Sequence, residues 1–109
     1  MICDTPEAFI AEISDMGALA GLDLGTATIG VAVSDVMRSV ATPLETIKRK
    51  KFGIDAAKLL ELTTHRMVTG LVLGLPMNMD GYEGPRCQAT RAFARNLATL
   101  KPLPITFMA

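Results

Sequence analysis

Two patterns of hydrophobic and polar positions predict where strands and helices lie along this chain. Apolar, often β-branched runs predict strands, and apolar positions spaced three or four residues apart predict helices. The predicted strands cover residues 19–24, 29–34, 39–47, 68–75 and 103–107. The predicted helices cover residues 6–15, 54–66 and 85–100. After the first short helix the order is β-β-β-α-β-α-β, which is typical of an α/β domain with helices on the faces of a mixed sheet.

Some positions make the predicted elements more specific. Thr5 is suited to capping the first helix, which we expect to end at Gly17 and to place Phe9, Ile10 and Ile13 on one face. Pro43 within the third strand indicates a sheet edge or a bulge. The run at 68–75 is almost continuously apolar, which favours a central strand covered on both faces.

Asp23 is the one carboxylate inside the first apolar strand. Burying a lone carboxylate is costly unless a cation or hydrogen-bond donors meet it. One interpretation is therefore a residue that binds a metal ion or handles a phosphate. The other is a carboxylate that accepts hydrogen bonds from the amides of the turn at residues 25–28, and the pattern alone favours neither.

Composition limits the class of protein. The 109 residues suffice for one domain, and 50% hydrophobic with 20% charged residues is ordinary for a soluble globular chain. Two cysteines do not form a disulfide framework, so we expect both to be reduced and the protein to be cytoplasmic. The chain begins without a signal-peptide pattern and contains no run long enough to span a membrane.

The charge of the chain is uneven although the formal net charge is zero. Residues 1–18 hold four acidic and no basic residues, so the rest of the chain carries a net charge of +4. The densest run is the basic segment Lys48, Arg49, Lys50 and Lys51. A solvated turn is the usual explanation for such a run, but together with Arg38 and Arg86 it suggests contact with a phosphate backbone. Such binding would depend strongly on salt and little on sequence.

The stretch from residue 74 to 85 links a predicted strand to a predicted helix. Its amides and the helix N-terminus are suited to a phosphate, and Asn78 to a phosphate or sugar. A plain long connection is the alternative, although loops of this length and composition are more often functional.

Other polar residues are interpreted structurally. One interpretation of Asp35 is a second metal ligand, but a turn residue is the favoured one, and the pair Asp80-Gly81 is typical of a turn. His65 suits a helix end, and Asp55 and Glu61 fall partly on the polar side of the helix at 54–66.

Three segments together resemble the YqgF/RuvX nucleases of bacteria, which have a ribonuclease-H-like fold. They read GLDLGTATIGVAVSD at 21–35, PLETI with its basic tail at 43–47, and GLPMNMDGYEGP at 74–85. Order and spacing agree from about residue 19 to residue 107. The resemblance implies a nuclease that processes the 5′ end of pre-16S rRNA in ribosome biogenesis. A DNA nuclease similar to Holliday junction resolvases is the alternative.

The resemblance also implies roles for particular residues and partners. Asp23 matches the catalytic aspartate of the family's first strand, which would help to hold Mg²⁺ or Mn²⁺. Structured RNA or branched DNA would be the partner. Members of this family continue past the strand matched by 103–107 with an Asp-Glu-Arg-Leu-type motif and a further helix, each supplying an acid.

This chain stops at Ala109. We therefore expect an N-terminal extension with a short helix at 1–18 and a C-terminally incomplete ribonuclease-H-like domain at 19–109 that lacks the usual last helix. Uncovered sheet surface, including parts of Val72, Leu73 and Ile105, would then favour self-association.

Two further classes stay open beside an active nuclease. One is a catalytically inactive fragment that still binds nucleic acid. The other is a phosphate-binding module of the sugar-kinase and actin type, which shares the Asp-x-Gly-Thr hairpin but needs two large lobes that 109 residues cannot build.

Overall fold

The computed structural model describes all 109 residues as three helices and five strands. The helices are α1 (Pro6–Glu12), α2 (Phe52–His65) and α3 (Pro85–Leu100). The strands are β1 (Ala18–Leu24), β2 (Thr28–Ser34), β3 (Ala41–Lys48), β4 (Val68–Gly74) and β5 (Ile105–Met108). The observed order confirms the predicted β-β-β-α-β-α-β arrangement behind a first short helix.

The five strands form one mixed sheet in the order β3-β2-β1-β4-β5. β2 pairs antiparallel with both of its neighbours, whereas β1, β4 and β5 run parallel. The carboxyl ends of these three parallel strands therefore meet at one end of the sheet, which we call the carboxyl end. β4 lies in the interior of the sheet, between β1 and β5, as its continuous apolar run predicted.

One face of the sheet forms the hydrophobic core together with α2 and α3. Side chains from β1, β2, β4 and β5 alternate onto this face and meet residues such as Leu59 and Leu97 of the helices. Leu73 and Ile105 are 0% and 1% exposed within this core. The expectation that both would be uncovered was wrong, because both turn toward the helices. Of the three residues, Val72 alone is half-buried.

The opposite face is covered only in part, by α1. Thr5 caps this helix as predicted, since its side chain accepts the N–H of Ala8 at 3.1 Å. Phe9 packs so closely that a Cβ on Gly70 would lie 2.6 Å from the Phe9 ring. α1 ends at Glu12, before the predicted end, and Ile10 is 67% exposed. Ile10 does not share the buried face because consecutive helical residues point about 100° apart.

β3 forms one edge of the sheet, as Pro43 predicts. The register shifts between Val31↔Glu45 and Ala32↔Pro43, so Leu44 is an extra, bulged residue. Leu44 packs against the core from this position. None of the helices combines the length and the apolar character needed to cross a bilayer.

Candidate active site and nucleic-acid interface

Asp23 lies near the carboxyl end of β1, on the face that α2 and α3 leave open. Its neighbours Leu22 and Leu24 turn into the core, so the alternation of the strand places the Asp23 side chain outward, where it is exposed. The carboxylate makes no hydrogen bond or ion pair within the chain. The following turn closes on its own backbone, since the N–H of Gly25 donates to the carbonyl of Thr28 at 2.8 Å. The interpretation of Asp23 as an acceptor for the turn amides is therefore not supported.

A cleft of about 620 Å³ surrounds Asp23 on the open face. Small residues line much of it, including Gly21, Gly30 and Gly74. A Cβ added to Gly21 or Gly74 would meet nothing closer than a backbone oxygen 3.9 Å away. The packing of this chain thus does not require glycine there, and the absent side chains leave room for a ligand beside the carboxylate.

The other carboxylates at the carboxyl end already have partners within the chain. Asp55 accepts the backbone N–H of Lys50, and Asp80 accepts that of Tyr82 at 3.0 Å. Glu83 pairs with Arg91 through two hydrogen bonds of 2.8 and 2.6 Å. Asp23 is therefore the carboxylate at this end that remains available to a cation from outside the chain.

The donor chemistry of Asp23 fits a hard divalent cation, because Mg²⁺ and Mn²⁺ prefer oxygen ligands. The chain offers few ligands for such a cation. No group of three or more His, Cys, Asp or Glu side chains in the chain is placed to hold a metal ion. Glu45 also lines the cleft, but its carboxylate pairs with Lys58 at 2.9 Å, so Asp23 is the carboxylate there without a partner in the chain.

The basic segment, residues 48–51, lies at the same end as Asp23 because β3 runs antiparallel to β2 and ends beside the β1–β2 hairpin. All four side chains are exposed. Asp55 is only 2% exposed and accepts the N–H of Lys50 with both carboxylate oxygens, at 3.0 and 3.2 Å. The prediction that Asp55 falls on the polar side of its helix was wrong. Its place in the first turn, just after a basic run, is the sequence signal for this role.

Two arginines from distant parts of the chain converge on the β1–β2 hairpin. Arg49 donates through Nη1 to the carbonyl of Gly25 at 2.6 Å. Arg86, in the first turn of α3, donates through Nη2 to the carbonyl of Leu24 at 2.9 Å. Both guanidinium groups thus bond backbone carbonyls that follow Asp23 by one and two residues, as the predicted grouping of the basic segment with Arg86 requires.

The loop at residues 75–84 lies against the start of α3. Asn78 packs on Gly84, whose added Cβ would lie 2.9 Å from the Asn78 amide. The Asp80-Gly81 turn is confirmed, since Gly81 has φ of 85° and Asp80 accepts the N–H of Tyr82. This turn presents Tyr82, which is 75% exposed.

An ion pair fixes the end of this loop. The hydrogen bonds from Arg91 hold the pKa of Glu83 below its usual range, and the same bonds raise the pKa of Arg91. The guanidinium of Arg91 also lies 4.8 Å from the centroid of the Phe107 ring, so α3 and β5 jointly hold the loop.

Arg38 lies at the other end of the sheet, away from Asp23. Its Nε donates to the carbonyl of Gly17 at 2.9 Å, and its Nη2 contacts the carbonyl of Ser14. Its neighbour Asp35 accepts hydrogen bonds from Val40 and Ser39, which hold the pKa of Asp35 below its usual range. The turn interpretation of Asp35 is confirmed. The structure therefore places Asp23, the basic segment, Asn78 and Arg86 at the carboxyl end of the sheet, and Arg38 at the other end.

Both long helices begin at the carboxyl end. The N-terminus of a helix carries partial positive charge, and Gly84 caps α3 without a side-chain acceptor. The helix ends and the basic side chains thus give this end of the molecule a positive character around one free carboxylate. In open α/β sheets, ligands bind at this end of the parallel strands.

Comparison with known proteins shows to which family the chain is similar. A family model described as "RuvX: Holliday junction resolvase" matches residues 17–109. A protein of Ruegeria pomeroyi named "Putative pre-16S rRNA nuclease" is 66% identical, over 98% of this chain and 70% of its own length. A protein of Rhodobacter capsulatus with the same name is 63% identical, over 98% of this chain and 67% of its own length.

A solved structure shares the fold. The RuvC protein of T. thermophilus, in complex with a Holliday junction substrate, matches with a TM-score of 0.60 at 18% identity. The match covers 84% of this chain and 64% of that one. This likeness confirms the ribonuclease-H-like fold expected from the sequence.

Proposed function

The chain belongs to the RuvX family of nucleases, and from that premise we propose that it is a metal-dependent endonuclease that processes the 5′ end of pre-16S rRNA. Relatives at 66% and 63% identity that are named for pre-16S rRNA support an RNA substrate. The observation that carries the proposal is the free carboxylate of Asp23, which lies on an open cleft next to a concentration of basic groups.

We assign Asp23 as the catalytic residue of this chain and as an anchor for Mg²⁺ or Mn²⁺. A divalent ion at such a site lowers the pKa of the attacking water or stabilises the leaving oxygen. Within the cleft, Asp23 is the carboxylate of this chain without a partner that such an ion could use. Asp23 itself would supply carboxylate oxygen to such an ion, whose charge would offset the repulsion between the carboxylate and the phosphodiester.

The basic groups supply the affinity for the backbone of the nucleic acid. Phosphate contacts by Lys and Arg side chains release counterions and bind with little regard to sequence. The proposed contacts are Lys48, Arg49, Lys50, Lys51 and Arg86, with Asn78 as a polar contact beside the start of α3. Arg38 is left out of this interface because its guanidinium bonds backbone carbonyls at the far end of the sheet.

Branched DNA is the second candidate substrate. The description of the family model and the fold shared with a RuvC bound to a Holliday junction favour it. Phosphate contacts are common to RNA and DNA, so the two substrates are separated by experiment.

The test is a cleavage assay in Mg²⁺ or Mn²⁺ on a structured pre-16S rRNA fragment and on a four-way DNA junction. Asp23→Asn removes the charge of the carboxylate while preserving its shape. The matched control is Glu61→Gln, which makes the same change on an exposed carboxylate of α2. We expect cleavage of the RNA by the wild type and by the control, and none by Asp23→Asn.

Other outcomes are equally informative. Cleavage of the junction but not the RNA would favour the DNA substrate. Unchanged cleavage by Asp23→Asn would reject its catalytic role. A folded wild-type chain that binds RNA without cleaving it would reject the endonuclease proposal for these 109 residues and leave a nucleic-acid-binding chain.

A further inference from the structure

A second, smaller cavity of about 80 Å³ lies where the β1–β2 hairpin meets α3. Leu24, Gly25 and Thr26 of the hairpin form one side. Arg49 and Arg86 form the other, with the first turns of α3 behind them. A water molecule takes about 30 Å³ in the liquid, so the cavity has room for a small anion of a few heavy atoms.

The charge in this cavity is not balanced by the chain. Each guanidinium has five N–H donors and uses one of them on a hairpin carbonyl. Those two bonds fix the position of both groups without neutralising them. No acidic side chain lines the cavity. Two anchored guanidinium groups with free donors are well suited to an oxyanion such as phosphate.

The cavity is separate from the cleft of Asp23. Asp23 and Leu24 are consecutive residues of β1, about 3.3 Å apart along the strand, and their side chains point to opposite faces of the sheet. The cleft therefore opens on one face and the cavity on the other, around the end of the same strand. A nucleic-acid strand that crossed the carboxyl end of β1 would meet both.

We propose that Arg49 and Arg86 form a phosphate subsite that holds a backbone phosphate of the substrate next to the one at Asp23. The inference rests on the proposed function for the source of the phosphate, but not for the binding of the anion. Holding a neighbouring phosphate fixes the register of the strand, so that the scissile bond lies at the carboxylate. Arg49 and Arg86 are thus positioning residues.

The first experiment detects the anion alone, without metal or nucleic acid. Inorganic phosphate is titrated into ¹⁵N-labelled protein, and the arginine Nε–H signals are followed by NMR. We expect the signals of Arg49 and Arg86 to shift together and saturate. Arg95 is an exposed arginine of α3 with no hydrogen-bond partner, and its signal is the internal control. No saturable shift at Arg49 or Arg86 would overturn the subsite.

The second experiment asks whether the anion belongs to a nucleic acid. Binding of a structured RNA is measured by fluorescence anisotropy in EDTA, over a series of salt concentrations, for Arg49→Gln, Arg86→Gln and the control Arg95→Gln. Loss of one phosphate contact lowers the slope of log K against log salt by about one. We expect this for the first two variants and not for the control. Circular dichroism checks that each variant is folded. Because Arg49 and Arg86 lie on different parts of the chain, the test can still be made if one of the two variants does not fold.

The outcomes of the two experiments distinguish failure of the phosphate subsite from failure of the proposed function. Phosphate shifts with unchanged RNA binding in both variants would mean an adventitious ion only, and would overturn the subsite as part of the substrate path. Phosphate shifts without any binding of RNA or branched DNA by the wild type would likewise overturn that part and would reject the proposed function, while the anion site itself would stand.

Discussion

The carboxylate of Asp55 accepts the backbone N–H of Lys50 with both oxygens, at 3.0 and 3.2 Å, while almost fully buried at the start of α2. The bond ties the basic segment to the first turn of a core helix. Negative charge in a first turn is also favoured by the helix dipole. A residue that carries no proposed substrate contact thus fixes the backbone that presents the lysines.

We predict that Asp55→Ala destabilises the fold by about 1–3 kcal/mol, because it leaves a polar N–H without its acceptor. The measurement is urea denaturation followed by circular dichroism. Asp55→Asn keeps an acceptor and should cost less. Glu61→Ala, an exposed position on the same helix, should change stability by less than about 0.5 kcal/mol. Equal effects at positions 55 and 61 would contradict the role given to Asp55.

Glycines on the open face should differ sharply in their tolerance of alanine. At Gly70 a Cβ would lie 2.6 Å from the Phe9 ring and 2.8 Å from Ile13 Cγ2, so Gly70→Ala should displace α1 and cost about 1–3 kcal/mol. At Gly21 the nearest atom is 3.9 Å away, so Gly21→Ala should fold as stably as the wild type or slightly more so. Thermal unfolding of the two variants side by side makes the comparison, and a loss of stability in Gly21→Ala would disagree with the open cleft.

The Glu83–Arg91 pair predicts a dependence of stability on pH. Since the pKa of Glu83 is lowered in the folded chain, its stabilising effect is fully present above the ordinary glutamate pKa of about 4.3 and is lost as the pH falls through the folded value. The wild type should therefore exceed Glu83→Gln in stability at neutral pH, and the difference should vanish in acid. Urea denaturation at a series of pH values measures this difference. Glu61→Gln, at an exposed position, is the control. If its difference in stability from the wild type changed with pH in the same way, the effect at Glu83 could not be assigned to the ion pair.

Substitution of basic residues at the two ends of the sheet should change different properties, RNA binding at one end and stability at the other. Lys50→Gln and Lys51→Gln should weaken RNA binding and reduce its salt dependence, with little effect on stability. Arg38→Gln should instead lower stability, because its guanidinium donates to the carbonyl of Gly17 and anchors the far end of β1. Anisotropy and thermal unfolding on the same three proteins test this division. If Arg38→Gln bound RNA more weakly than Lys50→Gln, Arg38 would belong to the nucleic-acid interface.

Local features of this protein were predictable from the sequence. Apolar alternation determined the five strands, and Thr5, Asp35 and Asp80 act as the cap and turn residues that the sequence predicted. Such features depend on a few neighbouring residues, which a sequence shows directly. The conspicuous position of Asp23 within an apolar strand was visible for the same reason.

The placement of residues relative to one another was decided by the tertiary structure. The antiparallel pairing of β2 with β3 set Arg38 at the far end of the sheet, and packing against α2 and α3 buried Leu73 and Ile105. It also brought Arg49 and Arg86, 37 residues apart in the sequence, to one hairpin. Hydrophobic periodicity gives the faces of an element but not its partner, and partners are selected by packing between residues distant in the chain. The sequence alone therefore determined the elements and the candidate carboxylate, and only the fold decided which basic groups stand beside it.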